Sequence, residues 1–264
     1  MTHLMRPHDF PPDITAELAH RPWPLPDGPW IMTQSWHDLL FAHWPVDADV
    51  LGGRLPAGLE LDVFDGQAWL GIVPFHMTNV APRGVPAVPW VSAFAELNVR
   101  TYVRVGSKPG VFFFSLDAAN PVAVGIARAM FNLPYYWATM DVDTDAGWVR
   151  YSSRRGSSDS EEAAFAGRYR PIGPVFAARP GSLDYFLTER YCLYTGHSTV
   201  NDALALSRLE IHHPPWALQA AEATIDVNTM ADAAGIRLPS IAPRLHFAKR
   251  QDMVAWPPAE VDGR

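Results

Sequence analysis

Alternation of apolar and polar positions is the strongest pattern in the chain, and it predicts a protein built mainly from β-strands. The clearest example runs from Phe94 to Arg104. On a strand, side chains two residues apart share a face and lie about 6.6 Å apart. One face of this segment is apolar and carries Leu97, Val99 and Val103. The other face is a polar ridge about 20 Å long, formed by Glu96, Asn98, Arg100 and Tyr102.

The same pattern predicts about ten strands and four or five short helices along the chain. An Asp65-Gly66 turn predicts a hairpin between Leu59 to Phe64 and Gln67 to His76. Helices are predicted where a capping residue precedes an apolar periodic segment, at Ser35, Asp47, Asn120 and Ser182. Strands and helices do not alternate regularly, as they would in a parallel doubly wound fold. The pattern therefore favours an α+β fold built on one antiparallel, closed sheet.

The distribution of prolines and linkers predicts a single domain. Residues 1–30 carry five prolines between Pro7 and Pro24 and no continuous apolar stretch, so we expect an extended N-terminal arm. Residues 31–257 contain no internal repeat and no linker long enough to divide them, so they are predicted to form the domain. Residues 258–264 are predicted to be a tail.

The charge balance argues against two classes of partner. The 264 residues carry a net charge of −7 at pH 7, which leaves no basic excess for nucleic acid or an anionic membrane surface. Cys192 is the single cysteine, which excludes an internal disulfide and is typical of a reducing compartment, so we expect a cytoplasmic protein. Only two residues are lysines, Lys108 and Lys249, which leaves little room for lysine-based chemistry.

The polar ridge is the first candidate site. The next strand has aromatic residues on both faces, which indicates a sheet covered on both sides. Glu96 and Arg100 would then pair with each other or meet a ligand, because isolated buried charges cost several kcal/mol. Arg100 could hold a carboxylate through two parallel hydrogen bonds, and Glu96 could move a proton, with Asn98 and Tyr102 lining the same site. The alternative is a solvent-facing strand without a ligand.

Three further residues are candidates because of where they lie on the predicted strands. Tyr135 and Tyr136 follow the Leu133-Pro134 break, where the chain returns to the sheet and one phenol could point inward. His76 ends an apolar strand and could act as an acid or base near neutral pH. The structural alternatives are core aromatic residues for the tyrosines and a strand-end histidine for His76.

Several common kinds of site have no support in the sequence. His212 and His213 are adjacent, so on a strand they point to opposite faces and cannot both bind one metal ion. There is no glycine-rich phosphate loop and no Gly-x-Ser-x-Gly elbow. We therefore expect neither a metal ion nor a cofactor.

Several segments carry a specific resemblance to a known family. They are Phe41-Ala-His-Trp-Pro45, Asp62-Val-Phe-Asp-Gly66, Phe94-Ala-Glu-Leu-Asn-Val-Arg-Thr-Tyr-Val103, Gly110-Val-Phe-Phe-Phe-Ser-Leu-Asp117, Leu187-Thr-Glu-Arg-Tyr191 and His213-Pro-Pro-Trp216. Over roughly residues 31–256 the chain resembles the YqjF-like family of uncharacterised bacterial proteins. This resemblance brings no established reaction.

The order of acidic strand, hairpin, helix and proline turn is more remotely similar to acetoacetate decarboxylase-like proteins. That resemblance implies a cone-like antiparallel barrel, and it places Glu96 near an active-site glutamate and Arg128 at a helix arginine. In the true decarboxylases the turn reads Gly-Phe-Pro-Lys, and its lysine forms a Schiff base. Here the turn ends in Tyr135, which cannot form an imine. Lys108 is expected in an exposed turn and Lys249 among polar neighbours, so neither is expected to replace that lysine.

Two hypotheses about function follow. The first is a small-molecule-binding protein, a candidate lyase or hydratase acting on a small anionic or carbonyl ligand without a Schiff-base lysine. The second is a non-catalytic interaction or sensing protein, in which the ridge is an internal salt-bridge network and aromatic loops form a protein interface. Such loops would also suit a homodimer. A cavity lined by Glu96 and Arg100 would favour the first hypothesis.

Overall fold

Strands dominate the fold. The computed structural model describes residues 10–11, 13–88, 91–156, 161–198 and 204–261. Within them the strands are β1 (Met32–Val46), β2 (Glu60–Leu61), β3 (Ala68–Pro82), β4 (Phe94–Val105), β5 (Lys108–Ala118), β6 (Tyr135–Asp145), β7 (Trp148–Arg155), β8 (Ala163–Phe176), β9 (Cys192–Ser198), β10 (Leu204–His212), β11 (Leu218–Asn228), β12 (Arg244–Ala255) and β13 (Ala259–Val261). The helices are α1 (Ala48–Gly52), α2 (Pro121–Phe131) and α3 (Leu183–Thr188), with a 3-10 turn at Asp232–Ala234. No helix in the described ranges is long and apolar enough to cross a membrane.

All of these strands belong to one sheet. Its pairings run β5-β6-β7-β8-β11-β12-β1-β3-β4 and return to β5 through the β4–β5 pair. A second circuit passes from β5 through β9 and β10 to β12. The pairings are antiparallel, as predicted, except that β5 pairs in parallel with both β6 and β9. The β5–β6 pair is parallel because α2 carries the chain back between them, which a tight hairpin cannot do.

The first predicted helix is wrong, because the segment after Ser35 is part of β1. β1 is buried over most of its length, so the simple alternation of a half-exposed strand is missing. Its pairing with β3 shifts between His37 and Ala42, and Asp38 adopts a left-handed backbone conformation with φ of 48°. Such a bulge displaces the apolar positions and produced the helix-like spacing. The helices capped by Asp47, Asn120 and Ser182 are confirmed.

The predicted Asp65-Gly66 turn is confirmed, but its hairpin is only local. Both residues have positive φ, at 49° and 77°, as a type I′ turn requires. Phe64 and Gln67 exchange two backbone hydrogen bonds of 2.9 Å across the turn. Beyond the turn the two segments separate, and β2 pairs with β4 rather than with β3.

The main apolar core and a cavity lie on opposite faces of shared strands. On β4, Leu97 and Val99 belong to the main core, together with residues of β1, β3, β7, β8 and β12. Glu96, Asn98 and Arg100 line the cavity on the other face, as the alternation predicted. Strand β4 therefore separates the apolar core on one face from the cavity on the other.

Both ends of the described chain pack against β10 and its continuation. Arg21, in the predicted arm, donates to the Ile211 carbonyl at 2.6 Å, and the Ile14 carbonyl lies 2.9 Å from Nε2 of His212. At the other end, Ala259–Val261 of the predicted tail pairs with β10 as a strand. The parts of the predicted arm at residues 1–9 and 12 and of the predicted tail at residues 262–264 lie outside the described residues.

Replacing Gly110 by alanine is expected to destabilise the protein by roughly 1–3 kcal/mol through overpacking. A Cβ atom there would lie 2.7 Å from the Cys192 carbonyl oxygen and 2.9 Å from Cε2 of Tyr194. Gly125→Ala is the matched control, because that position in α2 has no atom within 4 Å of the added Cβ. It is expected to stabilise the helix by about 0.5–1 kcal/mol. Urea unfolding of the two variants measures both, and equal effects would contradict the close approach at Gly110.

Candidate functional site

A cavity of ≈480 Å³ lies between β1, β3, β4, β5, β9, β10, β12 and helix α2. Most of its lining is apolar. Its polar and ionisable lining residues are Gln34, Glu96, Asn98, Arg100, Tyr135, Thr188, Arg190, Cys192 and His213. A space of this size with few polar groups on apolar walls is typical of a small-molecule site.

Three of the predicted ridge residues form one row in this cavity. Glu96, Asn98 and Arg100 are consecutive same-face positions of β4, and Glu96 and Asn98 are buried. The Oδ1 atom of Asn98 and the Nε atom of Arg100 are buried without a hydrogen-bond partner. Buried polar atoms are normally paired, so these two are available to a ligand or to water.

Tyr135 begins β6 and reaches Glu96 of β4 across the intervening strand β5. Its hydroxyl donates to Oε2 of Glu96 at 3.0 Å. Asn132 ends α2 in a left-handed conformation with φ of 51°, which turns the chain into the Leu133-Pro134 break. Arg128 of α2 then donates from Nε to the Tyr135 carbonyl at 2.6 Å. Arg128, which the resemblance pointed to, is therefore a positioning residue for Tyr135.

The Glu96 carboxyl is held in its neutral form at pH 7. Burial raises its pKa from 4.5 to about 8, because the charged form loses its hydration. The hydrogen bond from Tyr135 opposes this change, and the nearby Asp117 carboxylate adds to it. Glu96 can therefore donate a proton at neutral pH and accept one in more alkaline solution.

Arg100 has no salt bridge with any carboxylate of the described residues. Its Nη2 donates to the Leu187 carbonyl at 3.2 Å, and its guanidinium stacks over Phe41 at 5.2 Å from the ring centroid. Tyr102 lies beyond the cavity at the same end of the ridge and donates to the same carbonyl at 2.7 Å. Tyr102 thus helps to hold the environment of Arg100 and does not line the cavity.

Tyr136 and His76 lie away from this cavity. Tyr136 stacks on the Arg155 guanidinium, whose Cζ lies 4.0 Å from the ring centroid. His76 stacks on His37 with ring centroids 5.0 Å apart, on the face of β3 opposite to the cavity-lining Phe75 and Met77. Neighbouring residues on a strand alternate between faces, so only one tyrosine of the pair could enter the site. The structure brings Tyr135 to Glu96 and leaves the other two outside.

Arg190 and His213 line the cavity and were missed as site residues. Arg190 pairs with Asp62 at 2.6 Å, and Nε2 of His213 lies 3.1 Å from the Arg190 carbonyl. Both fall in segments that carry the family resemblance, which was the only available signal. Their approach to β4 depends on the pairing of distant strands, which the sequence does not reveal.

Neither lysine lines the cavity. Lys108 was predicted to lie in an exposed turn, and this prediction is wrong. Lys108 begins β5 and pairs with Glu210 at 2.8 Å. Glu210 also pairs with Arg21 and Arg208, and the Lys108 side chain beside them is 30% exposed. Lys249 pairs with Asp38 at 2.5 Å. The site therefore offers no amine for an imine.

Tyr135→Phe is expected to raise the pKa of Glu96 above 8, because the lost hydrogen bond stabilises the charged carboxylate. Carboxyl ¹³C chemical shifts in protein labelled at glutamate measure this titration, and Glu96→Gln assigns the signal. Tyr136→Phe is the matched control, with no effect expected. An unchanged titration in Tyr135→Phe would contradict the hydrogen bond.

Comparisons with known proteins place the chain in a family. The model of a family described as an uncharacterized conserved protein matches residues 33–252. The uncharacterized protein YqjF of Bacillus subtilis (strain 168) is 50% identical over 244 residues, which cover 92% of this chain and 98% of that protein. The family prediction is therefore confirmed.

Solved structures show a similar fold at low sequence identity. The enduracididine biosynthesis enzyme MppR complexed with pyruvate has a TM-score of 0.62 at 11% identity, covering 89% of this chain and 92% of that chain. Acetoacetate decarboxylase from Legionella pneumophila has a TM-score of 0.60 at 14% identity, covering 92% and 93%. The chain belongs to the YqjF-like family of uncharacterised conserved proteins, and its fold is similar to that of acetoacetate decarboxylase-like enzymes.

Proposed function

We propose that the protein binds a small organic acid in this cavity and transfers a proton between Glu96 and the carbon next to a carbonyl group of that ligand. Such a step serves a lyase or a hydratase that works without a Schiff-base lysine. The fold that supports the site is proposed to be a closed, cone-like barrel within residues 31–257.

The charge of the cavity carries this proposal. Arg100 lacks a carboxylate partner among the described residues, whereas Arg190 is neutralised by Asp62. Glu96 has a pKa of about 8, so at pH 7 it adds no compensating negative charge. One guanidinium charge is therefore left for the ligand, and guanidinium groups recognise carboxylates through paired hydrogen bonds.

The proton transfer uses the Glu96–Tyr135 pair. In its ionised form, Glu96 takes a proton from the carbon next to the carbonyl, and the electron pair of the C–H bond moves to the carbonyl oxygen. A hydrogen bond from Tyr135 stabilises that oxygen as it becomes negative. Return of the proton to carbon reverses the step, so nothing is oxidised or reduced. MppR, a protein of similar fold, forms a complex with pyruvate, a carboxylate that carries such a carbonyl.

The competing hypothesis, an internal salt-bridge network along the ridge, is not supported by the geometry. Glu96 is bonded to the Tyr135 hydroxyl, and Arg100 to the Leu187 carbonyl. Glu96 and Arg100 line the cavity and form no ion pair with each other in the described part of the chain.

Titration calorimetry with pyruvate and hexanoate tests the binding. Arg100→Met is expected to weaken both at least tenfold, in line with the worth of a hydrogen-bonded charge. Arg104→Met is the matched control, because Arg104 is on the same strand but 52% exposed and paired with Glu60. Failure of wild type to bind either acid, or equal binding by the Arg100 variant, would overturn the proposal.

Deuterium incorporation tests the proton transfer. Straight-chain acids of five and ten carbons, each with a ketone on the penultimate carbon, are incubated with the protein in D₂O and followed by proton NMR. Exchange next to the ketone of at least one of these acids is expected with wild type, and of neither acid with Glu96→Gln. Sodium borohydride is expected to leave the protein mass unchanged, because no lysine reaches the cavity. Equal exchange by both proteins would contradict the role of Glu96.

A further inference from the structure

We propose that the ligand is a medium-chain oxo acid, with its carboxylate at Arg100 and its carbonyl group at Glu96 and Tyr135, joined by an apolar chain. This inference rests on the proposed function. It adds the length of the ligand and the order of its chemical groups.

The two polar ends of the cavity are far apart. Glu96 and Arg100 are separated by four residues of strand, about 13 Å between Cα atoms. The Arg100 guanidinium extends further, toward Tyr102, with Cζ at 5.8 Å from that ring centroid and Nη2 bonded to the Leu187 carbonyl. The Glu96 carboxyl is fixed at the other end by Tyr135. A ligand as short as pyruvate therefore meets one end only.

The walls of the cavity are mostly apolar. Among the lining side chains that offer no hydrogen bonds are Val111, Leu116, Leu209, Ile211 and Met253. Asn98 is the single polar residue between Glu96 and Arg100 on the cavity face of β4. A polar linker would lose its hydration among these walls and regain few hydrogen bonds, chiefly at Asn98, whereas methylene groups gain from burial. The middle of the ligand is therefore a hydrocarbon chain.

The mouth of the cavity is at the Glu96 end. Among its lining residues, Pro82, Ile126 and Met130 are exposed, with Ile126 at 48% and Met130 at 59%. Ile126 and Met130 belong to α2, which leads directly into Tyr135. The carboxylate thus enters first and reaches Arg100, and the carbonyl end stays near the mouth.

A series of straight-chain acids with a ketone on the penultimate carbon, from five to twelve carbons, tests this length dependence by calorimetry. Affinity is expected to rise about fourfold per added methylene, the worth of burying one CH₂ group, until the ketone reaches Glu96. Tyr135→Phe is expected to weaken the long oxo acids several-fold. It should leave five-carbon oxo acids and all unsubstituted fatty acids of the same lengths unchanged.

Substitutions at the mouth supply a second measurement. Ile126→Gln with Met130→Gln is expected to weaken the ten-carbon oxo acid at least fivefold and to leave pyruvate unchanged. Val122→Gln is the matched control, because Val122 is an exposed apolar residue of the same helix that does not line the cavity.

The outcomes separate this inference from the proposed function. If affinity depends on Arg100 but is flat with chain length, the inference is wrong and the proposed function stands. If Tyr135→Phe weakens oxo acids and plain fatty acids equally, the order of groups is wrong. If no carboxylate binds to wild type, both proposals fail together.

Discussion

Asp117→Ala is expected to lower the free energy of unfolding by roughly 3–5 kcal/mol, the usual cost of breaking a buried ion pair by removing one partner. Arg155 donates from Nε to Oδ2 of Asp117 at 2.9 Å and from Nη2 to Oδ1, and the two side chains are only 4% and 0% exposed. With Asp117 gone, the Arg155 guanidinium keeps its stacking on Tyr136 but loses its counter-charge. Urea unfolding at pH 7 measures the change.

Two further variants show whether the pair itself is responsible. Asp145→Ala removes the partner of Arg150 in an exposed pair, with N–O distance of 3.7 Å, and is expected to have little effect because water screens such pairs. Adding Arg155→Met to Asp117→Ala is expected to recover part of the loss, because no unpaired charge then stays buried. A double variant that is no more stable than Asp117→Ala would argue against this explanation.

The sequence predicted those parts of the site that depend on local geometry. Alternation along β4 is a property of the backbone, so Glu96, Asn98 and Arg100 could be placed on one face without knowing what covers it. The cap and proline around α2 are equally local, since Asn120 accepts hydrogen bonds from the first turn of the helix. These features placed Tyr135 at the return to the sheet, although they could not distinguish it from Tyr136.

Tertiary structure decided the rest. The sequence pattern does not predict strand β11, because its first half, Gln219-Ala-Ala-Glu-Ala223, has small residues and weak alternation. Its partner β8 begins more than fifty residues earlier in the sequence. Pairing between strands so far apart in sequence leaves no pattern in the residues of β11 itself. The same limit hid Arg190, His213 and the Arg155 partner of Asp117. Each becomes a neighbour of β4 or β5 only when the strand circuits form.

The position of the decarboxylase lysine is occupied by a tyrosine in this chain, and neither of its two lysines lines the cavity. The resemblance located the decarboxylase lysine at the position of Tyr135, and the structure directs that side chain to Glu96 in the cavity. A phenol donates a hydrogen bond but forms no imine, so Tyr135 cannot supply the covalent step of the decarboxylases. The chemistry that we propose for the site is therefore proton transfer, controlled by the charge state of Glu96.

Glu96→Gln is expected to make the stability of the protein less sensitive to rising pH between 4.5 and about 8. Wild type should lose stability relative to this variant by about 1.4 kcal/mol per pH unit, or roughly 5 kcal/mol in all, as pH rises from 4.5 to about 8. The sign follows from the raised pKa of Glu96. In the unfolded chain the carboxyl loses its proton near pH 4.5, whereas the folded protein holds it until about pH 8, so folding binds a proton throughout this window.

Urea unfolding of both proteins at several pH values between 4.5 and 9 measures this difference. Below pH 4.5 the two curves should run parallel, because the Glu96 carboxyl is then neutral in the folded and unfolded states alike. Above about pH 8 they should again run parallel, because both states are ionised. Glu60→Gln is the control, because it makes the same change at a side chain that is 63% exposed and does not line the cavity. A Glu96→Gln difference that is constant from pH 5 to pH 8 would show that Glu96 is charged in the folded protein, and the cavity would then lack its proton donor at neutral pH.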